Sequence, residues 1–254
     1  MPKYLLKFLK EEYLDDLLHK GLYMNAAGFF AEKKGNSKSN MWDKYECLAS
    51  YPYQDPETIK NRQMEPLQEP LSEFEKLFVG MSVTPMNWYE GRNHPIWCCS
   101  MVEEWDIENG IFKFDKRVLT DFFEDVLKNA RAVLIEFEKF VGLIKKQTDC
   151  GYDLRMGTIK YVDSLNPFFE RYIPILRKTP ELSYQRECRL VIYRECQANY
   201  QYIIRDNVKW CVLSEEKPYE PYFFRMENIE STVKHIYNVE MLQVDEKYVY
   251  FQLP

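Results

Sequence analysis

The chain has 254 residues, 46% hydrophobic and 29% charged, a composition that belongs to folded globular proteins and excludes a disordered chain. Its 34 basic and 40 acidic residues give a net charge of −6, so nucleic-acid binding would need a local basic patch to overcome the general repulsion from phosphate. No stretch approaches the roughly 20 apolar residues of a membrane span, and Lys3, Lys7 and Lys10 interrupt what would have to be a signal peptide's apolar core, so no membrane contact and a cytoplasmic setting are expected.

In chain order, Lys3 to Leu9 reads as a first strand. Glu11 to His19 reads as a short amphipathic helix with Leu14, Leu17 and Leu18 on one face, ended by Gly21. Leu22 to Asn25 forms a second strand and Ala26 to Glu32 begins a helical turn. From Lys33 to about Ser72 the sequence is polar and punctuated by Pro52, Pro56, Pro66 and Pro70, the pattern of a loop-rich insertion. Glu73 to Phe78 suits a helical turn, Ser82 to Trp88 an interrupted strand, and Pro95 to Glu103 a buried strand.

Asp115 to Asn129 places Val118, Leu119, Phe122, Phe123, Val126 and Leu127 at helical period behind Asp115 as a cap, the best-defined helix in the sequence. Arg131 to Phe137 is a buried strand, Phe140 to Lys146 is helical, Met156 to Val162 alternates as a strand, and Asn166 to Tyr172 is a short aromatic piece. Glu187 to Arg194 is the strongest late strand. Beyond Tyr200 the chain reads as short strands (QYIIR, KWCVL, YFFRM, KYVYFQL), with a helical or extended piece at Ile229 to Tyr237. Together with 16% aromatic residues, which favour pleated half-buried surfaces, this predicts one α+β domain over residues 1–254, with mainly antiparallel sheets and a few helices.

Seven cysteines lack CxxC spacing, and Cys98 and Cys99 would point to opposite faces of a strand, so free thiols are expected. The three histidines, His19, His94 and His235, stand at no metal-ligand spacing, and no metal is expected. His94, in an Arg-Asn-His-Pro turn, is either a general base or a plain turn residue. The acids Glu11, Glu12, Asp15 and Asp16 have the spacing of a solvated helix face. Trp88, Tyr89, Trp97 and Trp105 would stack bases only with cations beside them. No phosphate-binding glycine loop and no nucleophile elbow occurs.

The segment from Arg171 to Arg194 reverses the overall charge, with Arg171, Arg177, Lys178, Arg186, Arg189 and Arg194 against Glu181 and Glu187. Such a cluster can meet a phosphate-bearing ligand, or it can simply charge a strand edge against aggregation. On an extended chain Gln185, Glu187 and Arg189 share a side, so Glu187 is either an oriented carboxylate or an ordinary salt-bridge partner.

The succession LYMNAAGFF, PIWCCSMVE, RAVLIEF with FVGLIKK, MGTIKYVD and SYQRECRLVIY resembles, over Lys3 to Arg194, a group of bacterial and phage proteins marked by a late Y-Q-x-E-x-R strand. Its layout of strand, short helix, second strand with an aromatic turn, and late glutamate on a strand is similar to the ADP-ribosyltransferase superfamily. That resemblance implies NAD as substrate, a protein or nucleic-acid acceptor of the transferred group, and a place in phage–host conflict. It implies that Glu187 stabilises a ribosyl cation, that Tyr23, backed by Phe29 or Phe30, stacks on nicotinamide, that Asn25 holds an amide or a ribose hydroxyl, and that Arg177 or Arg189 takes the pyrophosphate. Departures from the pattern are Tyr4 and Lys7 where the first strand usually carries His or Arg, and Tyr23-Met24-Asn25 in place of a serine-threonine-serine run; Lys7 offers charge without a guanidinium fork. The other class of function open to the same residues is a non-enzymatic module that binds a nucleotide-like small molecule or docks on a protein.

Overall fold

The computed structural model describes residues 2–31, 94–119, 129–148, 153–162, 174–192, 200–205, 208–213 and 221–254. The polar insertion at 33–72, the pieces at 73–78, 82–88 and 166–172, and most of the helix at 115–129 lie outside these residues.

The first apolar run forms β1 (Tyr4–Lys10), followed across a short connection by β2 (Gly21–Ala26) and the one-turn helix α1 (Ala27–Ala31). The connection is not the regular helix expected: a 3-10 turn at Glu11–Tyr13 gives way to wider π-type turns at Asp16–Lys20. A continuous α-helix would align Glu11 with Asp15 and Glu12 with Asp16, like charges one turn apart. Here Arg131 takes Glu11 and Lys20 takes Asp16. Gly21 opens β2 with φ 139°, where a methyl group would collide with the Phe224 carbonyl oxygen.

Strand β3 (Pro95–Val102) is the spine of the main sheet, and alternation along it sends Trp97 and Cys99 to one face and Ile96, Cys98 and Ser100 to the other. β4 (Ile111–Asp115) was not legible in the sequence, although Phe112 and Phe114 alternate into the core. Asp115 ends that strand and accepts from the Arg117 backbone N–H, at 2.9 Å, as the expected cap does. β5 (Ala130–Glu136) leads into the amphipathic helix α2 (Phe137–Thr148). The single strand expected at 156–162 is two, β6 (Leu154–Thr158) and the short β7 (Lys160–Tyr161): the ladder with Glu187–Ile192 reaches Ile159, whose N–H donates to the Glu187 carbonyl, and ends there as the Glu187 N–H goes to the Tyr161 hydroxyl. β8 (Arg177–Lys178) and a 3-10 segment at Pro180–Gln185 precede β9 (Glu187–Ile192).

The remainder comprises β10 (Tyr200–Arg205) paired with β11 (Val208–Leu213), then β12 (Tyr222–Arg225), β13 (Val233–Asn238), β14 (Gln243–Val244) and β15 (Tyr248–Gln252). Residues 229–237 prove to be both of the forms considered, a 3-10 turn and then a strand.

The main sheet runs β12-β2-β3-β1-β5-β13, with β9 on the opposite edge of β3 and β6 outside it. All these pairings are antiparallel, and among the described residues only the short β7–β8 pair is parallel. The fold is therefore α+β with mainly antiparallel sheets. One face of the main sheet packs Leu5, Leu22, Met24, Trp97 and Leu190 under α2 through Phe140 and Ile144. The other packs Leu6, Val102 and Leu134 against Phe112, Phe114 and Phe251 of the β14-β15-β4 sheet. Phe112 and Phe251 stack there with ring centroids 4.9 Å apart. Among the described residues no helix is long and apolar enough to cross a membrane.

Candidate functional site: a fork in the main sheet

Two strands compete for one edge of β3. β1 occupies it at Ser100 to Val102 and β2 at Pro95 and Ile96, so Trp97 to Cys99 face a gap where the sheet parts. Lys7, at the point of divergence, donates to the Cys98 carbonyl at 2.7 Å and lies 5.1 Å from the centre of the Trp97 ring. An otherwise unpaired strand edge is thus satisfied by a side chain rather than by a neighbouring strand.

A cavity of about 580 Å³ opens at this fork. Its walls carry Lys7 and Lys10 from β1, Tyr23 and Asn25 from β2, Cys98 and Ser100 from β3, and Glu187 and Arg189 from β9. The registers explain the convergence. Asn25 pairs with Ile96, Cys98 with Arg189, Ser100 with Glu187 and Leu6 with Ser100, so these side chains stand on one face of one sheet. Tyr23 joins them two residues before Asn25 and is 56% exposed at the mouth, while Leu22 and Met24, which alternate with them, are buried on the other face.

Glu187 lies at the floor, buried, with both oxygens held: Arg189 Nε reaches Oε1 at 2.5 Å and Lys178 Nζ reaches Oε2 at 2.7 Å. Burial alone would raise its pKa. The charges of Arg189 and Lys178 and the hydrogen bonds they donate outweigh that, and the carboxyl is held well below its ordinary range. Its backbone is fixed too, since the Glu187 N–H donates to the Tyr161 hydroxyl at 2.7 Å. Arg189 is anchored by donating to the Ile175 carbonyl at 2.6 Å. Burial, and the Glu187 charge after it, push the Tyr161 phenol upward.

Lys178 comes from the segment 174–185 that lies over this face, and Gly157, opposite Arg189, leaves the space that Leu176 fills. Lys178 also donates to Gln185 Oε1 at 2.9 Å, which turns the Gln185 Nε2 group away from it. That Nε2 is a buried donor with no partner among the described residues, on a side chain that lines the cavity. A buried donor left unmade is a site where a ligand acceptor gains more than it would in water. The Asn25 amide also has no partner among the described residues, while sitting half-buried in the same wall.

Of the residues singled out in the sequence, Glu187, Tyr23, Lys7, Asn25 and Arg189 line this cavity. Phe29 and Arg177 do not. Phe30 takes the place in the wall, with Phe29 packed edge-on against it at 5.4 Å, and Arg177 is turned into the protein interior at 1% exposure while its neighbour Lys178 reaches Glu187. Lys178 and Gln185 also line it, although the sequence does not assign them to the site: Lys178 comes from the short strand β8 and Gln185 from the 3-10 segment after it, not from the alternation of β9. His94 is buried and does not line the cavity, Trp97 lines it while its ring stacks in the core on Phe140 at 5.3 Å, and Trp88 and Tyr89 lie outside the described residues. Among the described residues no cluster of His, Cys, Asp and Glu suits a metal ion, and Cys98, Cys99 and Cys188 are free thiols.

Among the described residues the lining holds four cations, Lys7, Lys10, Lys178 and Arg189, against two carboxylates, Asp16 and Glu187. A surplus of two positive charges in a chain of net charge −6 favours a dianionic ligand, and the aromatic mouth favours a flat ring. No protein-family model, curated protein or solved structure matches the chain.

Proposed function

We propose that the fork binds NAD and that the protein cleaves its nicotinamide–ribose bond, as an ADP-ribosyltransferase or an NAD glycohydrolase. The observation that carries this reading is that Tyr23, Asn25 and Glu187, from two strands far apart in sequence, line one cavity on one face of one sheet. In the cleavage, the bond between ribose C1′ and the ring nitrogen breaks and both its electrons leave with neutral nicotinamide. The ribosyl cation left behind is captured by water, which loses a proton, or by a nucleophile on an acceptor molecule.

The residues divide the work by charge. A pyrophosphate of charge −2 offsets the surplus provided by Lys7, Arg189 and their neighbours, leaving the ionised Glu187 as the nearest negative charge to a developing ribosyl cation. Tyr23 supplies a ring surface at the mouth, and Asn25 and Gln185 supply amides for the carboxamide or ribose hydroxyls. Nicotinamide release on incubation with NAD, abolished in Glu187→Gln, tests the reading.

A second reading is favoured by one specific feature. Both Glu187 oxygens already bear cations, which weakens the field of the carboxylate on a ligand. On that reading the fork is a binding module that holds a nucleotide without turnover. It predicts binding with no nicotinamide release, and binding that Glu187→Gln leaves nearly unchanged.

A further inference from the structure

β12 adds to the cavity-facing surface a pair of side chains that neither the cavity nor the sequence reading includes. Phe223 is the cross-strand partner of Tyr23, and Arg225 is the partner of Gly21. Tyr23 and Gly21 line the cavity, so Phe223 and Arg225 continue its wall outward on the same face. Their neighbours Tyr222 and Phe224 point the other way, into the core with Leu22 and Met24. Phe223 is 36% exposed beside the 56% exposed Tyr23, and Arg225 is exposed with no ion-pair partner among the described residues.

We propose that Phe223 and Arg225 form a second subsite that takes the far base of a dinucleotide, while the fork, with Tyr23 at its mouth, holds the nicotinamide and ribosyl phosphate end. This rests on the nucleotide reading of the fork and adds to it a requirement for two bases. Distance supports the assignment. From β9 through β3 and β2 to β12 there are three strand spacings, at least about 14 Å at ~4.8 Å each and more where β2 has parted from β3, so Phe223 stands farther from Glu187 than a mononucleotide reaches. Charge supports it as well, since a lone exposed guanidinium beside an aromatic ring suits a base with its phosphate.

The test is titration calorimetry with ADP-ribose and with ribose 5-phosphate, which share the ribosyl phosphate, lack a nicotinamide bond to cleave, and differ by the whole adenylate, so that the Phe223 variants isolate the contribution of its base. The native protein is expected to bind ADP-ribose roughly ten-fold more tightly, the size of one base–aromatic contact. Phe223→Ala is expected to erase that advantage while leaving ribose 5-phosphate affinity unchanged, and Phe223→Tyr to keep it. Equal binding of the two probes by the native protein overturns the subsite but leaves the fork reading standing. An advantage that survives in Phe223→Ala also overturns the subsite. Binding of neither probe overturns both.

Discussion

Lys178 Nζ lies 2.7 Å from Glu187 Oε2, and both side chains are only 6% exposed, so a cation and an anion have been taken out of water together at the floor of the fork. Arg189 completes the group from the other side of the carboxylate. Charges this deep are tolerated only while each is paired, and the cost of removing one depends on what it leaves behind. Lys178→Met leaves Glu187 still paired to Arg189 and is expected to cost about 2 kcal/mol, the scale of one charged hydrogen bond. Glu187→Gln leaves two buried cations facing each other across a neutral amide and is expected to cost more, about 3–5 kcal/mol. Urea denaturation of the two variants tests the order, and a smaller loss for Glu187→Gln than for Lys178→Met contradicts it.

The depressed pKa of Glu187 sets a direction for acid stability. A carboxyl lowered from its ordinary 4.5 by native partners stabilises the fold fully above that value, and its contribution disappears as pH falls through the lower folded value. The stability difference between native protein and Glu187→Gln is therefore expected to be constant from pH 7 to about 5 and to narrow below pH 4.5. Denaturation midpoints measured across that range test it. A difference that widens on acidification contradicts the assignment.

Gly21 has φ 139°, and an added Cβ would meet the Phe224 carbonyl oxygen and come within 2.8 Å of the Met226 nitrogen. Backbone, not a flexible side-chain end, stands in the way. Gly21→Ala is expected to push β12 off β2 and to cost at least about 1–3 kcal/mol. Thermal unfolding measures this, and hydrogen exchange at Phe224 and Met226 should accelerate well before global unfolding.

Cys99 and Cys188 face each other across β3 and β9, with Cys99 Sγ 3.6 Å from the Cys188 carbonyl oxygen. Burial first, and the neighbouring thiol after it, raise the pKa of Cys99 well above that of an ordinary thiol. Peptide mapping after alkylation at pH 8 is expected to find Cys99 unmodified in the native protein and modified in urea.

The sequence makes part of this visible and hides the rest for definable reasons. Period-two alternation places Tyr23 and Asn25 together, with Leu22 and Met24 opposite, and the same period sets Glu187 beside Arg189. Neither inference needs a tertiary contact. The fork itself is invisible in the sequence, because it arises when two strands separated by a turn claim the same edge of a third strand about 70 residues later. A one-residue step also reverses an assignment. Arg177 and Lys178 are adjacent on an extended segment, so one faces the interior and the other the carboxylate, and Phe29 and Phe30 differ in the same way on a single helical turn. β4 does not stand out in the sequence because Ile111 to Asp115 is short and preceded by polar turn residues, although its pairing with β15 closes the second core.

The chemistry proposed for Glu187 is tested most directly by following nicotinamide release from NAD with the purified native chain and with Glu187→Gln, each held below its unfolding temperature. Release by the native protein, and its fall by at least about a hundred-fold in a folded Glu187→Gln, is the predicted result. No release by native protein that binds ADP-ribose, or equal release by both proteins, contradicts it.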